Sequence, residues 1–469
     1  MKPHPTWSYA PYRPLFFEVG DIYICRIAPG QHTIHFEWLP CDGAEHYTVF
    51  CRLRGENDFT AIGQTTGTEF NISELAPNQD YEFYVAAGSQ KSRVRLARTG
   101  ACVGTVINYL HPDDQAYAFS GRYLCSPSLL RHPDGYLLAS MDVFAGNYPQ
   151  NLTLILRSDD GGESWHYVSE LFPCFWGKLF IHDRAVYMAG VSTEYGDLLI
   201  GRSDDGGVTF GEPTVLLRGS NGKNGEAGVH KNPQPIVEFG GRLWMSWEWG
   251  AWARGYHAAS VASVPINCDL MDAGNWAFAQ PIKYDPNWPG VPQGESAGNI
   301  EGMLVKVDNE FHNIMRYSMD RLERKWGLVV DYKVNTDDPE APLEYVGCIE
   351  YPCNNAKFAI VYDQVSKSYI SIGSRIYDSE KLHARDLLSL LVSKDCKKWH
   401  VAWDEIDMRG IDSGTIGFQY VSMEIDGEDL IYQCRTAMNG AHNYHDTNYA
   451  TFHRIRDFRK RIAIISCLA

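Results

Sequence analysis

The chain carries 12 cysteines in 469 residues, yet it has no Cys-x-x-Cys pair and no regular spacing between them. Neither a zinc-ligand framework nor a disulfide scaffold is therefore written into it, and scattered reduced thiols are expected. No apolar stretch approaches the roughly 18 residues of a membrane-crossing helix. The amino terminus, Met1 to Trp7, offers no apolar core of a secretory signal. Together these absences predict a cytoplasmic protein that does not engage a membrane. Basic residues are also scarce, with 42 Lys and Arg against 58 Asp and Glu, a net charge of −16. The basic clusters, 394–398 and 454–461, are short, so a phosphate backbone is not an expected partner.

Aromatic residues are plentiful: 13 Trp, 27 Tyr and 20 Phe. They suit β-sheet cores and also stacking surfaces for sugar rings. The most informative pattern occurs twice, as Ser158-Asp159-Asp160-Gly161-Gly162-Glu163-Ser164-Trp165 and Ser203-Asp204-Asp205-Gly206-Gly207-Val208-Thr209-Phe210. In each, Asp and Gly supply a turn that tolerates left-handed backbone, and the closing aromatic packs back beneath it. The two copies start 45 positions apart, Ser158 to Ser203, a spacing that matches one four-stranded propeller blade. A degenerate third copy runs from Ser393 to Trp399, without the glycines.

This pattern resembles the Asp-box, or BNR repeat, of the sialidase-like propellers. The resemblance implies an all-β propeller with the box at the rim, so Asp160 and Asp205 read as structural rather than catalytic. Hairpin signals begin at Ser128–Leu138 and recur near Phe180–Ala189, Pro235–Trp244, Met303–Met315, Phe358–Ile370 and Tyr420–Ile431. They predict six blades in residues 101–469, with Cys102–Asn108 completing the last. Seven blades is the alternative, if residues 1–19 hold further strands. Residues 20–100 read as a separate unit, with short strand-like runs at 33–38, 46–52, 69–72 and 81–86, at sandwich spacing. Trp38 and the segment Leu75-Ala76-Pro77-Asn78-Gln79-Asp80-Tyr81 resemble the fibronectin type III signature, which implies an Ig-like sandwich with a tyrosine corner.

Ligands of propellers gather where the innermost strands meet. Reading the starts of successive blades selects Asp142, His230, Glu301, Arg316, Arg375 and Tyr420. The sialidase resemblance implies a general acid at Asp142, a nucleophilic Tyr420 served by Glu301, and carboxylate-binding arginines at Arg316 and Arg375; the planar guanidinium fork suits that task. The family's leading arginine is replaced by Ser126, which cannot pair with a carboxylate. The expected substrate is therefore not sialic acid but a sugar with a different carboxylate placement, or with none.

A second resemblance, carried by Ser126–Leu129, His230–Val237, Gly241–Trp244 with Glu248, Lys357–Asp363 and Ala441–Tyr449, is to Asp-box propellers that process rhamnose–glucuronate linkages as lyases or histidine-dependent glycosidases. Met141 stands where some of those have histidine. It implies that His230 works near neutral pH as a base or an acid. Trp244, Glu248, Arg435 and His442 complete the candidate substrate-binding set. His442, His445 and Asp446 have metal-ligand character, but their irregular spacing favours a hydrogen-bonded loop.

The expectation is thus an exo-acting glycoside hydrolase on an acidic oligosaccharide, with a uronate lyase and a noncatalytic glycan-binding propeller as alternatives. No organic cofactor or catalytic metal is implied, and a structural cation and the oligomeric state are left open.

Overall fold

The computed structural model describes Trp7 and residues 22–220, 225–292, 298–317 and 327–466. The seven-blade alternative rested on residues 1–19, which apart from Trp7 lie outside these. Nearly all of the regular structure is β, with one α-helix, Phe458–Ser466, among the described residues.

The first strands form two antiparallel sheets. One orders Ile24–Pro29, Ile34–Trp38 and Glu69–Ile72; the other is built on Tyr47–Leu53 and Asp80–Ala87. Alternation sets their inward faces, so Ile34, Phe36, Val49, Phe83 and Val85 are wholly buried. Phe36 and Phe83 meet across this core with ring centres 4.6 Å apart. The Tyr81 hydroxyl accepts the Ala76 N–H at 3.0 Å.

Six sheets follow in chain order, each meandering away from its first strand. Those first strands are Tyr123–Arg131, Phe175–His182, the broken pair Gly228–His230 and Val237–Phe239, Asn299–Val307, Ala359–Asp363 and Gly417–Asp426. First strands of the first and second, third and fourth, fourth and fifth, fifth and sixth, and sixth and first sheets touch, so they surround a common axis. The sixth sheet ends on Thr105–Tyr109, which precedes the first sheet in the chain and pairs antiparallel with Tyr449–Ile455. The ring is thus closed by strands from both ends of this region.

The repeated turn joins the third and fourth strands of the first, second and fifth sheets. Asp160 Oδ1 accepts from Ser158 Oγ at 2.8 Å and from Ser164 N–H at 2.9 Å, and Asp205 makes the matching bonds to Ser203 and Thr209 at 2.8 Å each. Trp165 and Phe210 close the turns from within the core. Gly162 is required twice over: its φ is 101°, and a Cβ there would lie 2.1 Å from the Phe452 ring. Asp395 repeats the arrangement without glycines, with Cys396 taking the left-handed φ of 57°. All three turns are remote from the axial cavity. Asp205→Ala is expected to cost about 1–2 kcal/mol in chemical denaturation, from its lost hydrogen bonds, while leaving axial-site chemistry unchanged.

Polar contacts bind the N-terminal sheets to the ring. Arg26 Nε donates to Ile107 O at 2.8 Å, the buried Arg95 guanidinium pairs with Asp114 at 2.7 Å, and Tyr23 donates to Glu170 at 2.8 Å. Burial pushes the Glu170 carboxyl up to about 7, although the Tyr23 and Tyr167 hydroxyls oppose the shift.

Candidate active site

A cavity of about 450 Å³ opens on the axis, walled by Phe144, Phe175, Trp176 and Trp252 and floored by polar groups from five of the six sheets. Four of its side chains arrive by the same device. In the first strands of sheets one, two, four and six the register slips by one residue at Cys125/Ser128, Phe175/Lys178, Ile300/Met303 and Gln419/Ser422. Within each slip one residue takes a left-handed backbone: Ser126 at φ 53°, Trp176 at 51°, Glu301 at 61° and Tyr420 at 56°. A bulge bends its strand and re-aims a side chain, and all four of these line the cavity. Left-handed backbone at a residue other than glycine costs about 1–3 kcal/mol, and four of the chain's occurrences fall at one level of the ring.

In the third sheet, His230 sits directly opposite Glu248 on the adjacent strand. Its Nδ1 lies 2.6 Å from Glu248 Oε2, and Glu248 Oε1 accepts the Glu301 N–H at 2.9 Å. The imidazole packs 4.4 Å from the Trp176 ring and lines the cavity, with Nε2 as its remaining nitrogen. Burial pushes His230 down to about 4 and Glu248 well above its ordinary 4.5, the latter reinforced by the Glu301 charge. Both shifts disfavour charge, so the pair titrates as a unit around its shared hydrogen bond.

Glu301 and Arg316 form a close ion pair, and Arg316 Nη2 donates to the Tyr420 hydroxyl at 3.2 Å. Burial opposes ionisation of Glu301, but the Arg316 charge and hydrogen bond outweigh it and hold the carboxyl below its usual range. Burial raises Tyr420, with Arg316 opposing. Arg435 lies 5.0 Å from the Tyr420 ring and 4.5 Å from that of Phe144, and its Nε has no hydrogen-bond partner. Arg385, only 8% exposed, stands between the rings of Tyr420 and Tyr444 with Nε and Nη1 unpartnered. Burial pushes its guanidinium down to about 10. Among the described residues no carboxylate is bonded to it, and it does not line the cavity.

The sequence-selected residues therefore divide. His230, Glu301, Arg316, Tyr420 and Arg435 line one cavity, and Glu248 braces two of them. Asp142 is wholly buried and does not line it. Its carboxylate accepts from Thr153 Oγ1 and, at 2.6 Å, from the Trp176 N–H. Burial raises it to about 7, and its observed work is to hold the Trp176 bulge. Trp244 is a core side chain against Phe311, donating to Phe239 O at 3.0 Å. Arg375 pairs with Asp404 at 2.6 Å, away from the cavity. His442 is exposed and does not line the cavity; it stacks on Tyr123 at 5.3 Å.

His445 and Asp446 form a hydrogen-bonded loop in which His445 Nδ1 lies 2.8 Å from Asp446 Oδ1. Sequence reasoning missed Trp176 and Trp252. A signal existed for the first: Trp176-Gly177 and Glu301-Gly302 share a large functional side chain followed by glycine on an inner strand, and a Cβ on either glycine would collide with the next strand.

No family model matches the chain, and no curated protein matches it. Solved structures do. The α-L-arabinofuranosidase of Fusarium graminearum, of family GH93 and in complex with arabinobiose, is 14% identical with a TM-score of 0.51, over 76% of this chain and 98% of that one. The Trypanosoma rangeli sialidase is 12% identical with a TM-score of 0.51, over 78% of this chain and 60% of its own. A polysaccharide lyase of family PL25, an ulvan lyase, is 11% identical with a TM-score of 0.45, over 95% of this chain and 96% of that one. At such identities the first two likenesses establish fold alone, an all-β propeller.

Proposed function

We propose that the chain is a carbohydrate-active enzyme that cleaves an acidic oligosaccharide in the axial cavity, by β-elimination at a uronate. The observation that carries this reading is that His230, with Nδ1 held by Glu248, and Tyr420, with Arg316 on its hydroxyl, line one aromatic-walled cavity. Asp142, the acid that hydrolysis by the sialidase scheme would use, does not line that cavity.

In the proposed reaction Arg316 and Arg435 neutralise the substrate carboxylate, which acidifies the neighbouring proton. His230 Nε2 removes that proton, and the electrons of the broken C–H bond form a conjugated double bond. The bond to the β oxygen breaks, and this leaving oxygen takes a proton from Tyr420. The steps move only protons and bond electrons, so no redox cofactor is needed. In the same reading the six sheets are propeller blades spanning 101–469. Residues 20–100 are a fibronectin type III-like sandwich, a reading supported by the Tyr81–Ala76 bond. The protein works in the cytoplasm.

The test is incubation with sialosides and with rhamnose-, glucuronate- and galacturonate-capped oligosaccharides, following reducing ends and the absorbance of unsaturated uronate. Release with absorbance is expected. Release without it overturns elimination in favour of hydrolysis through Tyr420 and Glu301, a reading favoured by the Arg316 bridge between them. Binding without release would mark a noncatalytic glycan receptor. Arg435→Met is expected to raise KM for acidic glycans about 10- to 100-fold, the value of a charge-assisted hydrogen bond, and to leave affinity for neutral caps nearly unchanged.

A further inference from the structure

Three lysines converge on the axis at the level of the bulges, and the chemistry above uses none of them. Lys178, Lys231 and Lys357 are 5%, 0% and 2% exposed, and none lines the cavity. Their ammonium groups bond to backbone of the surrounding inner strands. Lys178 donates to Leu129 O at 2.9 Å, with Ser422 Oγ at 3.5 Å; Lys231 donates to Asn232 O at 3.1 Å and Trp176 O at 3.4 Å; Lys357 donates to Val421 O at 3.2 Å.

An ammonium has three N–H donors and no acceptor, so each of the three keeps bonding capacity unused. Among the described residues, no carboxylate is within salt-bridge distance of any of them, although Glu301, Asp142, Glu248 and Glu424 act on them from farther away. The lysines also repel: Lys357 feels both Lys178 and Lys231. Buried like charges without a bonded counter-charge are costly, and burial holds Lys178 down to about 8 and Lys231 and Lys357 to about 7, so a bound anion would also favour their charged forms. One small negative ion among them would satisfy donors on three sheets at once.

We propose that Lys178, Lys231 and Lys357 form a binding site for a small monovalent anion of the halide class on the axis of the ring. The burial of all three limits the ligand to something smaller than a sugar or its carboxylate. By its position the site ties the second, third and fifth sheets together through a shared ion.

The test uses bromide on the full chain. At constant ionic strength, replacing sodium gluconate by sodium bromide should raise the Tm of the wild-type protein by several degrees, in proportion to the logarithm of bromide concentration. Lys357→Met, which removes one ligand and one buried charge, should abolish that dependence. Crystals grown in bromide should show an anomalous peak among the three Nζ atoms, a readout that needs no variant. Equal Tm values in bromide and gluconate would overturn the proposal, whether the crystals show no peak or one that marks binding at crystal concentration only.

Discussion

His230→Ala is expected to lower kcat/KM on the cleaved glycan by about 10²- to 10⁴-fold, the usual contribution of a positioned acid–base group, with the circular dichroism spectrum unchanged. The companion measurement is the pH profile. As a base, His230 needs a bare Nε2, and the pair then holds one proton on Nδ1, donated to an ionised Glu248. As pH falls the pair gains a second proton and Nε2 loses its lone pair. Burial raises Glu248 well above 4.5 and so draws that proton in early. Activity is therefore present above the pair's apparent pKa and lost as pH falls through it, at a midpoint higher than an ordinary carboxylate gives. In Glu248→Gln only His230 remains to titrate, and burial holds it down to about 4, so the acid limb should move to lower pH while kcat drops. An acid limb that stays in place in the variant would remove the pair from the chemistry.

The largest loss of stability is expected from Arg95→Met. Asp114 has no side-chain exposure, and its Oδ2 takes the Arg95 Nε at 2.7 Å. Arg95 Nη1 in turn donates to Ile24 O at 2.6 Å. Removing the guanidinium leaves a buried carboxylate with only backbone N–H groups, at Ala116 and Leu96, to hold it. A cost of about 3–5 kcal/mol follows, read as a lower denaturant midpoint. Asp114→Asn placed on top should recover much of it, because the stranded charge then disappears. A single variant as stable as the wild type would show that the pair contributes nothing to attachment of the N-terminal sheets.

The chain's organisation was legible wherever local chemistry and tertiary structure agree. The Asp–Gly turns at 158–165 and 203–210 carry their fold in the residues themselves, since the carboxylate, the glycines and the closing aromatic all act within eight positions. His230, Glu301, Arg316 and Tyr420 were found because inner strands recur at blade spacing. What failed was the direction of a side chain. Asp142 and Trp244 lie on the right strands, yet one points behind the cavity wall and the other into the core, and nothing in their neighbours' identities separates those choices. For the four cavity residues Ser126, Trp176, Glu301 and Tyr420 the bulges decide the direction, and a one-residue slip is invisible to period-two patterning.

The closure of the sixth sheet also constrains synthesis. Tyr109 must wait for Tyr449, and at about 5–20 residues per second a ribosome takes on the order of tens of seconds to supply it. Throughout that interval Thr105–Tyr109 is an unpaired edge, exposed to the same self-association that the finished ring prevents. Coding changes that slow translation late in the message, or truncations that remove Tyr449–Ile455, should therefore lower soluble yield out of proportion to any change in the stability of the molecules that do mature.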